Sequence, residues 1–126
     1  MLSRLRLLIV EDAFLIALEI QRILEASNVA QTVFARDFGE ANALADRFGD
    51  FDLAIVNPPD AEGLGIAARL AAAGPAIVVC TAALKDLSGT PLAGAPLVIK
   101  PFTDADLLAA CRRALEAKAE ARSPGS

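Results

Sequence analysis

Histidine, tryptophan and tyrosine are absent from the 126 residues of this sequence, and cysteine occurs only twice. Without histidine the chain cannot form a Ser-His-Asp or Cys-His nucleophile, a histidine-ligated zinc site or a phosphohistidine carrier. Two cysteines are too few for a disulfide framework, which favours a reducing compartment, and we therefore expect the cytoplasm. Basic residues are also scarce, since 12 Lys and Arg stand against 16 Asp and Glu for a net charge of −4. A nucleic-acid partner is therefore not expected.

Long hydrophobic runs are missing as well, although 55% of the residues are hydrophobic. The longest uncharged stretch, 70–84, is shorter than the roughly 20 residues of a membrane-spanning helix and contains Gly74-Pro75. Glu11 comes too early in the chain for a secretory signal peptide. We therefore expect one domain without a membrane segment, large enough to bury roughly two thirds of its unfolded surface.

Short apolar runs alternate with amphipathic segments along most of the chain. Five of the runs are typical of strands buried on both faces: 5–10, 29–35, 51–56, 76–80 and 96–99. Helical spacing of apolar residues predicts helices over 13–26, 39–48, 62–73 and after residue 103. This alternation predicts an α/β fold with a parallel sheet that helices cover on both faces.

The last helix is predicted to begin after Thr103, which serves as its N-cap. Asp106 follows three residues later and completes a weak form of the capping box. The apolar residues expected to face the core from this helix are Leu108, Cys111 and Leu115.

Two segments depart from the alternating pattern. The segment 117–126 has no apolar spacing and is expected to fray, so that the domain spans 1–116. The segment between the fourth and fifth strands contains Gly89, Pro91 and Gly94 and shows little helical spacing. We expect the helix between those two strands to be short or missing.

Polar side chains follow four of the predicted strands at their carboxyl ends. Glu11 and Asp12 follow the first strand, Asn57 the third, Thr81 the fourth and Lys100 the fifth. Parallel strands direct their carboxyl ends to one crevice, where ligands bind in this class of fold. Each residue alone has an ordinary interpretation, as a helix-start acid, a turn residue, a strand end or an ion-pair partner. Their convergence on one crevice favours a functional site.

The motifs at these strand ends match the pattern of one known family. They are LLIVED at the first strand, a residue 45 positions after Asp12, VVCTA ending at Ala82, and VIKPF around Lys100. The set resembles the receiver domain of bacterial two-component response regulators over about residues 5–115. The resemblance implies a flavodoxin-like, doubly wound sheet of five strands in the order 2-1-3-4-5. It also implies a cis peptide bond between Lys100 and Pro101.

The resemblance further implies a chemistry for the crevice. In receivers an acid pair holds Mg²⁺, and an aspartate at the end of the third strand accepts a phosphoryl group from a histidine kinase. Glu11 and Asp12 correspond to the acid pair. Thr81, Ala82 and Lys100 correspond to the pocket that binds the phosphoryl oxygens.

The sequence departs from receivers at the positions that phosphorylation requires. Asn57 occupies the acceptor position, and an amide cannot form the acyl phosphate that a carboxylate forms. Pro58 and Pro59 remove two backbone N–H groups from a loop that normally donates hydrogen bonds to the phosphoryl oxygens. Leu97 replaces the aromatic switch residue of the fifth strand. Together with the short or missing fourth helix, these departures predict a degenerate receiver.

We therefore expect a pseudo-receiver that signals by protein contact, independently of phosphorylation, and that is not an enzyme. No cofactor is required, and Mg²⁺ should bind weakly at best, because the Asn57 amide brings no charge to the acid pair. Lys100 should pair with Glu11 or Asp12 instead. The chain shows no output domain, so the signal would be read by a partner, either a histidine kinase or another signalling protein.

The first helix carries the candidate contact surface. Phe14 and Leu18 lie four residues apart, away from the apolar stripe of the helix, and are expected to be partly exposed. In receivers this helix docks on histidine kinases, which implies a contact with a partner or a homodimer contact. Packing under a neighbouring loop is the alternative interpretation.

Two other functions stay open. One is a stand-alone receiver that is phosphorylated weakly or at a displaced site, Asp60. The other is a small flavodoxin-like protein that binds an anionic ligand in the same crevice. Against the second stands the lack of a glycine-rich phosphate loop after the first strand.

Overall fold

The computed structural model describes residues 2–83 and 86–121 and contains a five-stranded parallel sheet. The strands are β1 (Arg6–Val10), β2 (Gln31–Ala35), β3 (Leu53–Val56), β4 (Ala76–Thr81) and β5 (Leu97–Ile99). Their order in the sheet is β2-β1-β3-β4-β5. The predicted fold class and strand order are therefore confirmed.

Four α-helices and one 3₁₀ segment accompany the strands in the described part of the chain, and the last helix follows β5. They are α1 (Phe14–Glu25), α2 (Phe38–Ala41), the 3₁₀ segment (Asn42–Asp50), α3 (Leu64–Ala73) and α4 (Asp104–Ala121). The prediction of one α-helix over 39–48 is wrong in type. Ala45, Phe48 and Phe51 recur every three residues and pack into the core, which suits the three residues per turn of a 3₁₀ helix.

The helices divide between the two faces of the sheet. Side chains of alternate residues of β1 show this division, because Leu7 and Ile9 pack with α1 and α4, whereas Leu8 and Val10 pack with α2, the 3₁₀ segment and α3. Both sets are fully or almost fully buried. The three central strands β1, β3 and β4 are therefore buried on both faces along most of their length, and the polar groups of the sheet lie at the strand ends and edges.

Helix α4 begins at the predicted cap. The Thr103 hydroxyl accepts a hydrogen bond from the Asp106 backbone N–H at 3.0 Å, and the Asp106 carboxylate accepts one from the Thr103 backbone N–H at 3.1 Å. This reciprocal pair is a capping box and confirms that interpretation. The helix continues to Ala121, so residues 117–121 are helical and do not fray as expected. The remaining residues of the expected tail, 122–126, lie outside the described part of the chain.

The buried stripe of α4 is rotated from the predicted one. Leu108 and Leu115 are only partly buried, and of the three predicted residues Cys111 alone lies fully in the core. The fully buried residues follow helical spacing, and all but the first have small side chains: Leu107, Ala110, Cys111 and Ala114. The small side chains let the helix approach the sheet closely, and Leu108 and Leu115 lie at the margin of the stripe.

No helix lies between β4 and β5 in residues 82–83 and 86–96, which the structure describes there. The backbone instead makes successive turns, in which N–H groups of Thr90, Ala93 and Ala95 donate to carbonyls three residues earlier at 3.0–3.1 Å. Gly89 and Gly94 take positive φ angles of 76° and 83°, which glycine adopts without strain. The expectation of a missing fourth helix is confirmed for these residues.

Two further findings concern the cysteines and membrane insertion. Cys80 and Cys111 are free and buried, and burial raises the pKa of the two thiols to about 11 and about 12. Over the described ranges, no helix has both the length and the apolar character needed to cross a lipid bilayer.

Candidate functional site

The predicted polar residues lie together at the carboxyl edge of the sheet. Backbone hydrogen bonds continue past the strand ends and fix their positions. The N–H of Glu11 donates to the Ala35 carbonyl at 3.0 Å, and that of Asn57 to the Val10 carbonyl at 2.9 Å. The N–H of Lys100 donates to a carbonyl of β4 at 2.8 Å. Main-chain geometry therefore brings the side chains from three strands to one crevice.

Glu11 is the buried carboxylate at the centre of this crevice, with 4% of its surface exposed. Its Oε2 accepts hydrogen bonds from Asn57 Nδ2 at 3.1 Å and from the Ala13 backbone N–H at 3.0 Å. Its Oε1 forms an ion pair with Lys100 Nζ at 2.6 Å. The two atoms are not aligned as a hydrogen bond, so the attraction between them is one of charge. The expectation that Lys100 pairs with one of the two acids is confirmed, and the acid is Glu11. A buried carboxylate needs such a counter-charge, because desolvation alone would make it very unfavourable.

Asn57 joins the other three groups through its amide. The Nδ2 atom donates to Glu11 Oε2 and, at 3.0 Å, to Asp12 Oδ1. The Oδ1 atom accepts a longer hydrogen bond from Lys100 Nζ at 3.4 Å. This orientation of the amide is the one in which donors meet carboxylates and the acceptor meets the ammonium. An aspartate at this position would have no N–H to donate and would add a third negative charge.

Asp12 is the exposed acid of the pair. Hydrogen bonds from its own backbone N–H and from the Asn57 amide, together with the Lys100 charge, lower the pKa of Asp12 below its ordinary value. Asp12 is therefore ionised at neutral pH. Within the described ranges no lysine or arginine lies within ion-pair distance of it.

Thr81 lies at the end of β4, but its hydroxyl does not join this network. The hydroxyl donates to the Ala83 carbonyl at 2.9 Å and is close to the Ala83 N–H at 3.4 Å, so it belongs to the turn that follows β4. Ala82 is exposed in that turn. Leu97, at the proposed switch position, is half-buried in β5 and packs on the α3 side of the sheet.

Asp60 is also separate from the network. Its carboxylate accepts a hydrogen bond from the Gly63 backbone N–H at 2.8 Å and so closes the turn before α3. None of the described hydrogen bonds or ion pairs connects it with Glu11, Asn57 or Lys100.

The expected apolar pair on α1 is exposed, with 72% of Phe14 and 40% of Leu18 accessible to solvent. Sequence reasoning missed two further exposed residues beside them, Leu15 on α1 and Phe34 on β2. Phe34 pairs in register with Ile9, which places it on the face that α1 covers, but on an edge strand. The strand order was the signal that could have revealed it, because an edge strand lacks a neighbour on one side.

No protein-family model and no curated protein sequence matches this chain. Solved structures do match it. The chemotaxis response regulator CheY4 of Vibrio cholerae is 21% identical with a TM-score of 0.71, over 90% of this chain and 100% of that one. A CheY-like response regulator receiver domain protein from Methanospirillum hungatei JF-1 is 24% identical with a TM-score of 0.72, over 94% and 99%.

A third similar structure is the signal receiver domain of an HD domain-containing protein from Pseudomonas fluorescens Pf-5. It is 25% identical with a TM-score of 0.74, over 94% of this chain and 99% of that one. The chain has the fold of a response-regulator receiver domain. As the resemblance to receivers implied, the Lys100–Pro101 peptide bond is cis.

Receivers bind Mg²⁺ through their acid pair and acceptor aspartate, whereas here an amide occupies the acceptor position and both acids already have partners. The donor hydrogens of the Asn57 amide point at the oxygens of Glu11 and Asp12 that a cation would contact. Lys100 already neutralises Glu11. Among residues 2–83 and 86–121, no cluster of three or more acidic, cysteine or histidine side chains is placed to hold a metal ion. Magnesium prefers several carboxylate oxygens, and the acceptor position supplies an amide in place of a third carboxylate.

We expect isothermal calorimetry to give a Mg²⁺ dissociation constant well above the micromolar range. The variant Asn57→Asp serves as the control, because a third carboxylate at the same position should tighten Mg²⁺ binding. A wild-type dissociation constant in the low micromolar range would contradict this expectation.

Proposed function

We propose that this chain is a receiver-like module of two-component signalling that acts through protein contact without phosphoryl transfer. The carrying observation is the Asn57 amide, which bonds Glu11, Asp12 and Lys100 at once. In this arrangement the acceptor position is a structural link rather than a nucleophile. An amide oxygen forms no acyl phosphate, so the residue at the acceptor position cannot carry the signal as a phosphoryl group.

The surroundings of Asn57 support the same conclusion. Pro58 and Pro59 supply no backbone N–H groups where charge on a phosphoryl group would need stabilisation. The Thr81 hydroxyl is bonded to the Ala83 carbonyl rather than directed at Asn57. Lys100 has its charge balanced by Glu11. An incoming phosphoryl group would therefore have to break the contacts of Thr81 and Lys100 and would find no N–H donors at Pro58 and Pro59.

The surface that transmits phosphorylation in receivers is changed as well. Leu97 stands in place of the switch aromatic, and turns replace the helix before β5 in the residues described there. A contact module needs neither feature, since its partner can recognise a fixed surface. Both the crevice and the output surface differ from those of receivers in ways that phosphorylation would not tolerate. These combined changes support signalling by contact, rather than the loss of the acceptor residue alone.

The other two functions have less support. Phosphorylation at Asp60 would need a carboxylate beside Lys100, whereas this carboxylate closes the turn at Gly63. An anionic ligand would need a free cation, whereas the lysine in the described part of the crevice is paired with Glu11. For the same reasons we propose no enzymatic activity and no required cofactor.

We further propose that the partner is a histidine kinase or another signalling protein of the cytoplasm, or a second copy of this chain. The exposed apolar residues of α1 supply the contact surface. The free, buried thiols of Cys80 and Cys111 suit a reducing compartment.

The test is amide NMR of the protein titrated with Mg²⁺ and beryllofluoride, a phosphoryl mimic. We expect no shifts at Glu11, Thr81 and Lys100, because the mimic needs a carboxylate to bind and a metal to bridge. A receiver domain with an aspartate at the acceptor position, in the same buffer, serves as the positive control. Magnesium-dependent shifts in the crevice would show a working phosphoryl site, and shifts with one anion in the absence of metal would show an anion-binding protein.

A further inference from the structure

The exposed apolar residues of α1 and β2 surround a cleft. Phe14, Leu18 and Phe34 line it, with Ala17 and Ala35 as its buried floor. Its volume is about 200 Å³. Exposed aromatic and aliphatic side chains that cluster around a cavity indicate a binding site, whereas isolated exposed residues are normal on any protein surface.

The volume of the cleft indicates what it can hold. Sites for small organic ligands usually enclose about 300–1,000 Å³ and bury most of the ligand. A cleft of about 200 Å³ is smaller than this range. It suits one anchoring side chain of a protein partner, of the kind that dominates binding energy at interfaces.

The charges at the rim indicate the chemistry of that partner. Arg36 and Glu40 both line the cleft and neutralise one another in an ion pair of 2.9 Å. Glu11, also at the rim, is neutralised by Lys100. Asp12 is therefore the charge at the rim that no lysine or arginine of the described residues balances by an ion pair. Counted over the described residues, the charged groups of the cleft and their ion-pair partners carry one net negative charge.

The Asp12 charge favours a basic partner protein over a second copy of this chain as the occupant of the cleft. Two copies of the chain that met at this cleft would bring two Asp12 carboxylates to one interface, and like charges at an interface oppose association. A partner with a cation beside its apolar anchor would instead gain a favourable contact. The apolar ridge that Phe14, Leu15 and Leu18 form on α1 is suited to pack against a facing helix.

We infer that this cleft, named here the α1–β2 cleft, binds a basic amphipathic helix of a partner protein, with one apolar side chain in the cleft and a lysine or arginine on Asp12. The inference rests on the proposed function, because it specifies the partner of a contact module. The proposed surface is larger than the contact expected of α1 alone, since it also includes β2 and Asp12.

The test uses an amphipathic helical peptide built from leucine, lysine and alanine, and its counterpart in which glutamate replaces lysine. With the basic peptide we expect amide shifts at Ala17, Phe34 and Ala35, and with the acidic peptide binding about tenfold weaker or absent. The variant Asp12→Asn should reduce this preference.

Phe34→Ser tests the apolar part and should weaken binding of the basic peptide about tenfold. Ile99→Ser is the matched control, because Ile99 is 37% exposed and Phe34 40%, and Ile99 lies on the opposite edge strand. It should leave the affinity unchanged. Leu18→Ser, on α1, repeats the test if Phe34→Ser does not fold.

Several results would overturn the inference: equal binding of both peptides, equal loss in Phe34→Ser and Ile99→Ser, or shifts that map outside the α1–β2 cleft. A dimer in sedimentation that Phe34→Ser dissociates would also overturn it, since the occupant would then be a second copy. Peptide binding at the cleft and beryllofluoride binding in the crevice are measured at different amides. Failure of peptide binding leaves the proposed function standing, whereas shifts with beryllofluoride would reject the proposed function without changing the measured peptide affinity.

Discussion

Replacing Lys100 with methionine is expected to lower the free energy of unfolding by about 3–5 kcal/mol. The lysine side chain is largely buried, and its ammonium lies 2.6 Å from a carboxylate oxygen of Glu11 that has almost no contact with water. Methionine keeps much of the apolar stem but removes the charge. The variant therefore leaves Glu11 as an uncompensated buried anion, which is the unfavourable part of breaking such a pair.

Urea unfolding followed by circular dichroism measures this loss. Arg36→Met is the matched control, because its pair with Glu40 has a similar distance of 2.9 Å but leaves 81% of the arginine side chain exposed. We expect a loss of less than about 1 kcal/mol there. The double variant Glu11→Gln with Lys100→Met should recover much of the lost stability, since the buried anion is gone. A loss in Lys100→Met no larger than in Arg36→Met would show that the Glu11 charge is compensated in another way.

Restoring an aspartate at the acceptor position, Asn57→Asp, is expected to yield little or no phosphorylation by a small-molecule phosphodonor. Glu11, Asp12 and Lys100 would still be present, but Pro58 and Pro59 would still lack the N–H groups that stabilise developing charge. Each missing donor of this kind slows a reaction by about 10²–10³-fold. The Thr81 hydroxyl would also have to leave the Ala83 carbonyl before it could assist.

Intact-mass spectrometry of wild type and Asn57→Asp after incubation with phosphodonor and Mg²⁺ provides the measurement. The double variant Asn57→Asp with Asp60→Asn controls for modification at the neighbouring carboxylate. The wild-type protein should acquire no phosphate. Its Asn57 should also not deamidate to aspartate, because the following proline lacks the N–H through which asparagine cyclises. A near-complete phosphate adduct on Asn57→Asp would falsify the view that Pro58 and Pro59 prevent phosphorylation. The acceptor carboxylate would then be the single group whose loss prevents phosphorylation of the wild type.

The sheet was predictable because its strands are short, apolar and bounded by polar residues. The 3₁₀ segment was not, since a repeat of three and a repeat of 3.6 are hard to distinguish over ten residues that contain both Leu44 and Phe48. The orientation of α4 was also not predictable. Leu107 and Leu108 are adjacent, and only packing against β4 and β5 decides which one is buried.

For the site, sequence identified the residues but not their partners. Spacing brought Glu11, Asp12, Asn57 and Lys100 to one crevice, which the structure bears out. That Lys100 pairs with Glu11 rather than Asp12 depends on burial, which sequence does not show. Phe34 was missed for a related reason, because its exposure follows from the position of β2 at the sheet edge.

Covalent attachment gives the Lys100 ammonium a property that a dissolved cation lacks. A bound metal ion leaves its site when its concentration falls, whereas a side chain of the same chain stays at a fixed, high effective concentration under all conditions in which the fold persists. For the function proposed above, we therefore expect the crevice to keep the same charge when the supply of magnesium or phosphodonor changes. If the binding surface is constant in this way, we expect regulation to act on the abundance of the protein, because its concentration then determines how much partner is occupied.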